Sequence, residues 1–349
     1  MKAAFLTGPR KIEIRDVPEP EVPEGGLVLA VKACGICGSD LRRWKEGPPA
    51  SSGGVTPGHE ASGVAIAVDE RCTRFHVGDR LAIAPDVHCG KCYYCRSERY
   101  NLCDHLQFLG ITPGLPGGFA EQMALAPEIL ENGVVNLMPE GLGFAHAALS
   151  EPCCSVLAAH DRAGTGQGDT VVILGAGPIG CLHVAVAKAH GARTIVTECN
   201  ERRRELAARF DPDLIIDAAC EDVVTRVREF TKGLGADIVI CANPVAETQR
   251  QGVDMVRKGG KVLLFGGLPK ASPMTTLDGN KIHYGEIEVL GTFSYHPRVH
   301  RRALDLLADG TLPADKIITH QFPLGQIADA YRVAVAGDAL KVLICFEKE

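Results

Sequence analysis

The chain has 349 residues, enough for two domains of common size. Its 46% hydrophobic and 23% charged residues are those of a packed globular protein and exclude a disordered or fibrous one. A net charge of −6 gives no electrostatic reason for a nucleic-acid or anionic-lipid partner, so the expected ligand is a small molecule.

The opening stretch, Met1 to Asp16, becomes charged too soon for a signal peptide, and no run reaches the about 18 apolar residues of a membrane span. A cytoplasmic protein with no membrane partner is therefore expected. Fourteen cysteines in such a chain point to metal or thiolate chemistry rather than disulfides.

Six short runs open the chain: Lys2–Leu6, Ile12–Val17, Gly26–Ala33, Gly63–Val68, Arg80–Ala84 and Gly118–Leu125. They alternate or run apolar between Gly, Pro and Asp, which predicts an irregular, mainly β domain. Between them lie Cys34-Gly-Ile-Cys37-Gly38-Ser39-Asp40 and Gly58-His59-Glu60. One thiolate, one imidazole and one carboxylate suffice to hold Zn²⁺ with a position left for water or substrate, the catalytic kind of site. Such a metal acidifies an alcohol, whose carbon then gives a hydride to nicotinamide. Ser39 is placed to relay the proton and Asp40 to orient the His59 ring. Taken alone, His59 reads equally well as a core histidine; its neighbours make it a ligand.

Cys89-x2-Cys92-x2-Cys95-x7-Cys103 follows. Four thiols this close fold a loop around one tetrahedral zinc whose positions are all filled, hence a structural site. No thioredoxin-like βαβ pattern flanks them, which argues against a redox pair. Most of the nine cysteines outside this quartet and Cys37 are expected in the core.

From Asp169 the rhythm becomes strand, helix, strand: Val171–Leu174, Thr194–Thr197, Leu214–Asp217, Ile238–Cys241, Lys261–Phe265 and Glu288–Gly291. Six strands separated by helices such as Pro178–His190 predict a doubly wound parallel sheet of the Rossmann type. Gly175-Ala-Gly177-Pro178-Ile179-Gly180 joins the first strand to its helix. Gly175 permits the turn, Gly177 lets a pyrophosphate approach, and Gly180 lets helix pack on strand. Glu198 ends the second strand, where a carboxylate accepts from both ribose hydroxyls and repels a 2′-phosphate, so NAD is expected over NADP. Arg202, Arg203 and Arg204 argue the other way, since they could admit that phosphate. The tail predicts helices at Val299–Asp309 and Gln326–Ala336 and a last strand at Lys341–Phe346, read as returning to the first domain.

Through Cys37-Gly-Ser-Asp40, Gly58-His59-Glu60, the four-cysteine lobe, Ser150-Glu151-Pro152, the glycine turn and Thr319-His-Gln-Phe-Pro-Leu324, essentially the whole chain resembles the zinc-dependent medium-chain dehydrogenases of the sorbitol (polyol) and threonine dehydrogenase branch. The resemblance implies a GroES-like catalytic domain over 1–150 and 294–349, its zinc lobe at 89–103, and a Rossmann NAD-binding domain over 151–293. It implies Cys37, His59 and Glu60 as ligands of a catalytic zinc, with Glu151 coordinating directly or through water. It also implies cofactor contacts from Ile179, Glu198, Arg203, the backbone of Phe265, Gly266 and Gly267, and that of Thr292, Phe293 and Ser294. Ser39, Trp44, Glu151 and Tyr295 are the candidate substrate contacts, although Trp44 and Tyr295 read equally well as packing residues.

The expected reaction is NAD-linked oxidation of a secondary alcohol, a polyol, cyclitol or sugar derivative, to a ketone. Arg42 stands where many members carry a relay histidine, and Ser294-Tyr295 where sorbitol enzymes tend to have Arg-Tyr. L-threonine and sugar phosphates are therefore alternative substrates; Arg298, His300, Arg301 and Arg302 would serve a phosphate, though a solvated helix face is the preferred reading. A zinc-ribbon nucleic-acid binder is disfavoured by the charge, and a silent NAD sensor has no need of Cys37, His59, Glu60 and Ser39 together. The family also implies a homodimer or homotetramer paired through Glu288–Phe293.

Overall fold

The computed structural model describes residues 1–47 and 55–346. Two compact units divide the chain: 1–154 with 295–349, and 155–294.

The first unit is mainly β. β1 (Lys2–Gly8) and β2 (Lys11–Asp16) form an antiparallel pair. β3 (Leu27–Gly35), β4 (Glu60–Val68), β5 (Arg80–Val87), β6 (Gln107–Phe108), β7 (Gln122–Leu125) and β8 (Gly133–Leu137) belong to the large sheet. β3 is its centre, pairing with β4, β7 and a strand from the chain's far end. That role suits Leu27-Val-Leu-Ala-Val, apolar at every position and buried on both faces. Where β3 ends, Gly35 stands opposite Glu60 on one side and Leu343 on the other. A Cβ on Gly35 would lie 1.9 Å from Glu60 Oε2, so the missing side chain is what admits that carboxylate.

The second unit contains β9 (Thr170–Leu174), β10 (Arg193–Glu198), β11 (Leu214–Asp217), β12 (Ala236–Cys241), β13 (Val256–Leu264) and β14 (Glu288–Gly291). They are all parallel, in the order β11-β10-β9-β12-β13-β14, the doubly wound arrangement read from the sequence. β9 is buried along its whole length, as a strand covered by helices on both faces must be. The tail supplies β15 (Ile318–Pro323) and β16 (Lys341–Cys345), which are parallel to each other and join the large sheet of the first unit beside β3.

Three strands escaped the sequence reading: β6, β8 and β15. β8 follows a short helix, Pro127–Asn132, and β15 is half-exposed, so neither carries a clear apolar period. Gly118–Leu125 is strand only from Gln122. Its first residue passes too close to the core for any side chain: a Cβ on Gly118 would meet Cys34 Sγ at 2.8 Å. β13 begins five residues earlier than expected because Arg257, Lys258 and two glycines disguise its start.

His160 and His183 are fully buried in the second unit, with His183 Nδ1 3.1 Å from His160 Nε2 and His160 Nδ1 2.8 Å from Thr165 Oγ1. Burial pushes the His160 imidazole down to about 3 and that of His183 well below its usual value. The folded state thus refuses protons that the unfolded chain accepts from about pH 6.5 downward, so stability is complete above that pH and falls below it. Compared by chemical denaturation with a His160→Gln, His183→Leu variant, so that the titration of other groups cancels, the wild type should show a constant difference in stability between about pH 8 and 7, then lose about 1.4 kcal/mol per pH unit for each such histidine below about pH 6.5. A difference unchanged at pH 5 would mean that the pair accepts protons without leaving the core.

Candidate metal and dinucleotide sites

The helix Gly38–Glu46 begins directly after Cys37, whose backbone N–H is capped by Asp40 Oδ2 at 2.9 Å. The other Asp40 oxygen lies 3.5 Å from His59 Nδ1, while His59 Nε2 is 3.3 Å from Ser39 Oγ. One donor atom from each of Cys37, His59 and Glu60 falls within 4.8 Å of the others. Helix start and strand start thus bring Cys37, Ser39, Asp40, His59 and Glu60 together. Burial opposes charge on the His59 ring, but Asp40 and Cys37 outweigh it and raise its pKa well above the ordinary value. The cluster calls for a cation, and its sulfur, nitrogen and oxygen donors are those zinc takes; the residues fit the ion.

Glu60 is fully buried and does not stand alone. Lys341, opening β16, places Nζ 2.7 Å from both Glu60 oxygens and 3.2 Å from the Ile36 carbonyl. The sequence reading passed over Lys341, although a lysine heading an otherwise apolar strand is itself a signal of a buried charge partner.

Glu151 sits in the first turn of the helix Ser150–Ala163, and Tyr295 Oη donates to its Oε1 at 3.3 Å. Desolvation, then the charges of Glu60 and Asp86, push the Glu151 carboxyl up to about 8. Asp86, near the end of β5 and buried, is a second acid that the sequence did not single out. Tyr295 is 2% exposed, its hydroxyl engaged by Glu151. Trp44, partly buried, packs against Tyr331 at the edge of the apolar core, ring centroids 5.7 Å apart and planes tilted by 50°. His300, read as part of a solvated helix face, is instead fully buried; the strong amphipathy of its helix, Arg298–Ala308, turns it inward while Arg298 stays exposed.

In the lobe, the Cys89, Cys92, Cys95 and Cys103 sulfurs lie within 4.8 Å of one another, with Cys92 and Cys95 at 3.5 Å and Cys89 and Cys95 at 4.0 Å. Four sulfurs each about 2.3 Å from a zinc ion would stand about 3.8 Å apart, so the quartet fits the metal. The backbone N–H groups of Cys89 and His105 point at Cys103 Sγ, both at 3.3 Å, and backbone donors pull the Cys92 thiol down to about 6.

The glycine turn crosses the end of β9. Gly175 has φ +108°, open to glycine alone, and a Cβ on Gly180 would lie 1.9 Å from the Gly175 carbonyl. Around Gly177 there is free space, and it caps a helix that begins with Pro178 and Ile179. That is the cradle a pyrophosphate fills, so the residues fit a dinucleotide. Glu198 closes β10, with Oε2 accepting from the Ala176 N–H and Oε1 from the Asn200 N–H, both at 3.0 Å. Burial alone would raise its pKa, but these bonds lower it and keep the carboxylate charged. An Arg203 guanidinium nitrogen stands 3.9 Å away. Phe265, Gly266 and Gly267 follow β13, and Thr292, Phe293 and Ser294 follow β14, so all these residues share the carboxyl edge of one sheet. Phe293 is exposed there, and Ser294 is left-handed at φ +50°.

Two family models match the chain: "Alcohol dehydrogenase GroES-like domain" over residues 23–136 and "Zinc-binding dehydrogenase" over 178–309. The chain is 34% identical to a sorbitol dehydrogenase of Bacillus subtilis, covering 99% of this chain and 97% of that protein. It is 32% identical to a D-arabitol-phosphate dehydrogenase of Enterococcus avium, over 94% and 92%. Among solved structures, a zinc-binding dehydrogenase from Sinorhizobium meliloti 1021 bound to NADP superposes with a TM-score of 0.90 at 33% identity, covering 99% of this chain and 98% of that one.

Proposed function

The chain belongs to the zinc-dependent medium-chain dehydrogenases, in their sorbitol (polyol) branch, and on that premise we propose that it oxidises a secondary alcohol of a polyol, cyclitol or sugar derivative to the ketone, with NAD as hydride acceptor. The observation that carries this reading is the cluster of Cys37, His59 and Glu60 with Ser39 Oγ 3.3 Å from the imidazole.

Cys37, His59 and Glu60 would hold the catalytic zinc, with Glu151 beside it. Zinc, when bound, supplies a Lewis acid that makes an alcohol acidic near neutral pH. Ser39, half-buried, takes the alcohol proton at Oγ and passes it outward, while Asp40 keeps the His59 ring in place. Lys341 holds Glu60 in its buried position. Glu151, joined to Tyr295, offers the substrate an acidic partner for a neighbouring hydroxyl. The quartet Cys89, Cys92, Cys95 and Cys103 would hold the structural zinc. We assign the first unit as the catalytic domain and the second as the one that binds NAD.

Glu198 supports NAD: its charged carboxylate, fixed by two backbone N–H groups, faces a 2′-phosphate with repulsion. The NADP found in the Sinorhizobium meliloti structure belongs to that protein; in this chain Arg203, 3.9 Å from Glu198, is the cation that would meet a 2′-phosphate. Among the described residues no helix is long and apolar enough to cross a membrane; a cytoplasmic homodimer or homotetramer, paired through the edge strand β14, completes the proposal. Light scattering that gives a monomer would remove the oligomer.

The test is reduction of NAD and NADP across polyols, cyclitols, L-threonine and phosphorylated polyols, with and without a chelator. Chelator-sensitive oxidation of an unphosphorylated polyol or cyclitol, faster with NAD, is expected. Glu198→Ala should lower the NAD-to-NADP preference by about tenfold or more, the worth of a hydrogen bond to a charged group. Threonine or a phosphorylated polyol as the preferred substrate would replace the substrate class, and a zinc-loaded enzyme inert on the whole panel would defeat the reading.

A further inference from the structure

His300 is fully buried, and both of its ring nitrogens are engaged. Asn136 Nδ2 lies 2.9 Å from His300 Nδ1, and Ser150 Oγ lies 2.9 Å from His300 Nε2. The Ser150 hydroxyl has one hydrogen, which it donates to the Ala147 carbonyl at 2.6 Å. Toward the ring, Ser150 Oγ can therefore only accept, so the proton of the imidazole is on Nε2 and the Asn136 amide is the donor to Nδ1. Burial, which pushes the ring down to about 3, keeps it in that neutral form.

This chain of hydrogen bonds ends one residue from Glu151. The same short segment that carries His300 also carries Tyr295, whose hydroxyl reaches Glu151 Oε1 at 3.3 Å. Residues 295–300 thus grip the start of the helix Ser150–Ala163 twice, at the Glu151 side chain and at its neighbour's. We propose that His300 is a positioning residue for Glu151: by donating from Nε2 to Ser150 Oγ it holds the first helical turn where the Glu151 carboxyl group meets Tyr295. The proposal rests on the reading of Glu151 as the acid beside the substrate. An apolar core would fill the same volume without four polar atoms that must all be bonded, so the network earns its place through the geometry it imposes.

Three variants and one structure test it. His300→Leu should lower kcat for the alcohol about tenfold with a much smaller effect on the KM for NAD, since the ring bonds to Asn136 and Ser150 and to none of the residues assigned to the cofactor. His300→Gln, whose amide can donate to Ser150 and accept from Asn136, should recover to within about threefold. In a Glu151→Gln background, His300→Leu should cost nothing further, because its effect passes through the group already removed. If His300→Leu does not fold, Ser150→Ala replaces it, with the same expectations. A crystal structure of the variant should show Glu151 Oε1 out of hydrogen-bond reach of Tyr295. Equal losses in both backgrounds, or a variant structure with Glu151 unmoved, would overturn the proposal. A wild-type protein inert on every alcohol would count against the enzyme reading, and the crystal structures would still decide for His300.

Discussion

Cys37→Ser should release one zinc equivalent and lower turnover on the order of 10³-fold, while Cys103→Ser should release the other and act mainly on stability. The two sites differ in what they leave open. Three donors from Cys37, His59 and Glu60 would hold an ion and leave room for a reacting oxygen, so loss of one donor would remove the several kcal/mol that a Lewis acid contributes to the barrier. The quartet of Cys89, Cys92, Cys95 and Cys103 would fill all four positions of a zinc ion and offer nothing to a substrate. What the ion would supply is order in a segment where helices are no longer than four residues, as part of the folding free energy. Metal analysis with kinetics and a thermal melt on each variant reads this directly. Full zinc content in both variants would dismiss both assignments, and an equal loss of turnover per folded molecule would merge the two roles into one.

Lys341→Met should destabilise the metal-free protein by about 3–5 kcal/mol, the cost of leaving a buried charge without its partner. Glu60 and Lys341 are 0% and 3% exposed at their side chains, and the ammonium sits at 2.7 Å from both carboxylate oxygens. Burial alone would lower the Lys341 pKa, but Glu60 more than reverses this and raises it. A cation held above its unfolded value contributes in full below about pH 10.4 and loses that contribution only as the pH rises through the higher folded value. The difference between wild type and variant should therefore be flat from about pH 6 to 9. Zinc held by Glu60 would supply the missing positive charge, so added zinc should raise the melting temperature more in Lys341→Met than in the wild type. Pairing the variant with Glu60→Gln should restore most of the stability in the metal-free state. A Lys341→Met protein as stable as the wild type would show that Glu60 takes up a proton when its partner is gone.

How much was legible in advance depended on the range of the interactions. The six parallel strands, the glycine turn and the cysteine lobe are local patterns: apolar runs of fixed length, a turn that only glycine can make, and thiols close enough in sequence to share an ion. Such features show in a single sequence because neighbouring residues carry the whole reason for them. The same holds for the pairing of Glu198 with the loop, where strand end and turn are one βαβ unit. The short strands β6 and β8 and the half-exposed β15 left no periodic trace, because their pairing partners and not their own pattern define them.

What residue types and spacing established was the fold class, the kind of metal each cysteine group suits, and the chemistry of alcohol and dinucleotide. What only tertiary structure decided was which distant side chains complete the site. Lys341 stands 281 positions from the Glu60 it neutralises, His300 150 from the Ser150 it holds, and Tyr295 144 from Glu151. None of these pairs obeys a period or a motif. They meet because the tail of the chain adds β16 to the sheet beside β3, and because the helix after Tyr295 turns its apolar face, with His300 in it, toward the core. Sequence order says nothing about such encounters, since the physical requirement they satisfy, a partner for every buried charge and every buried polar atom, arises only once the core has closed around them.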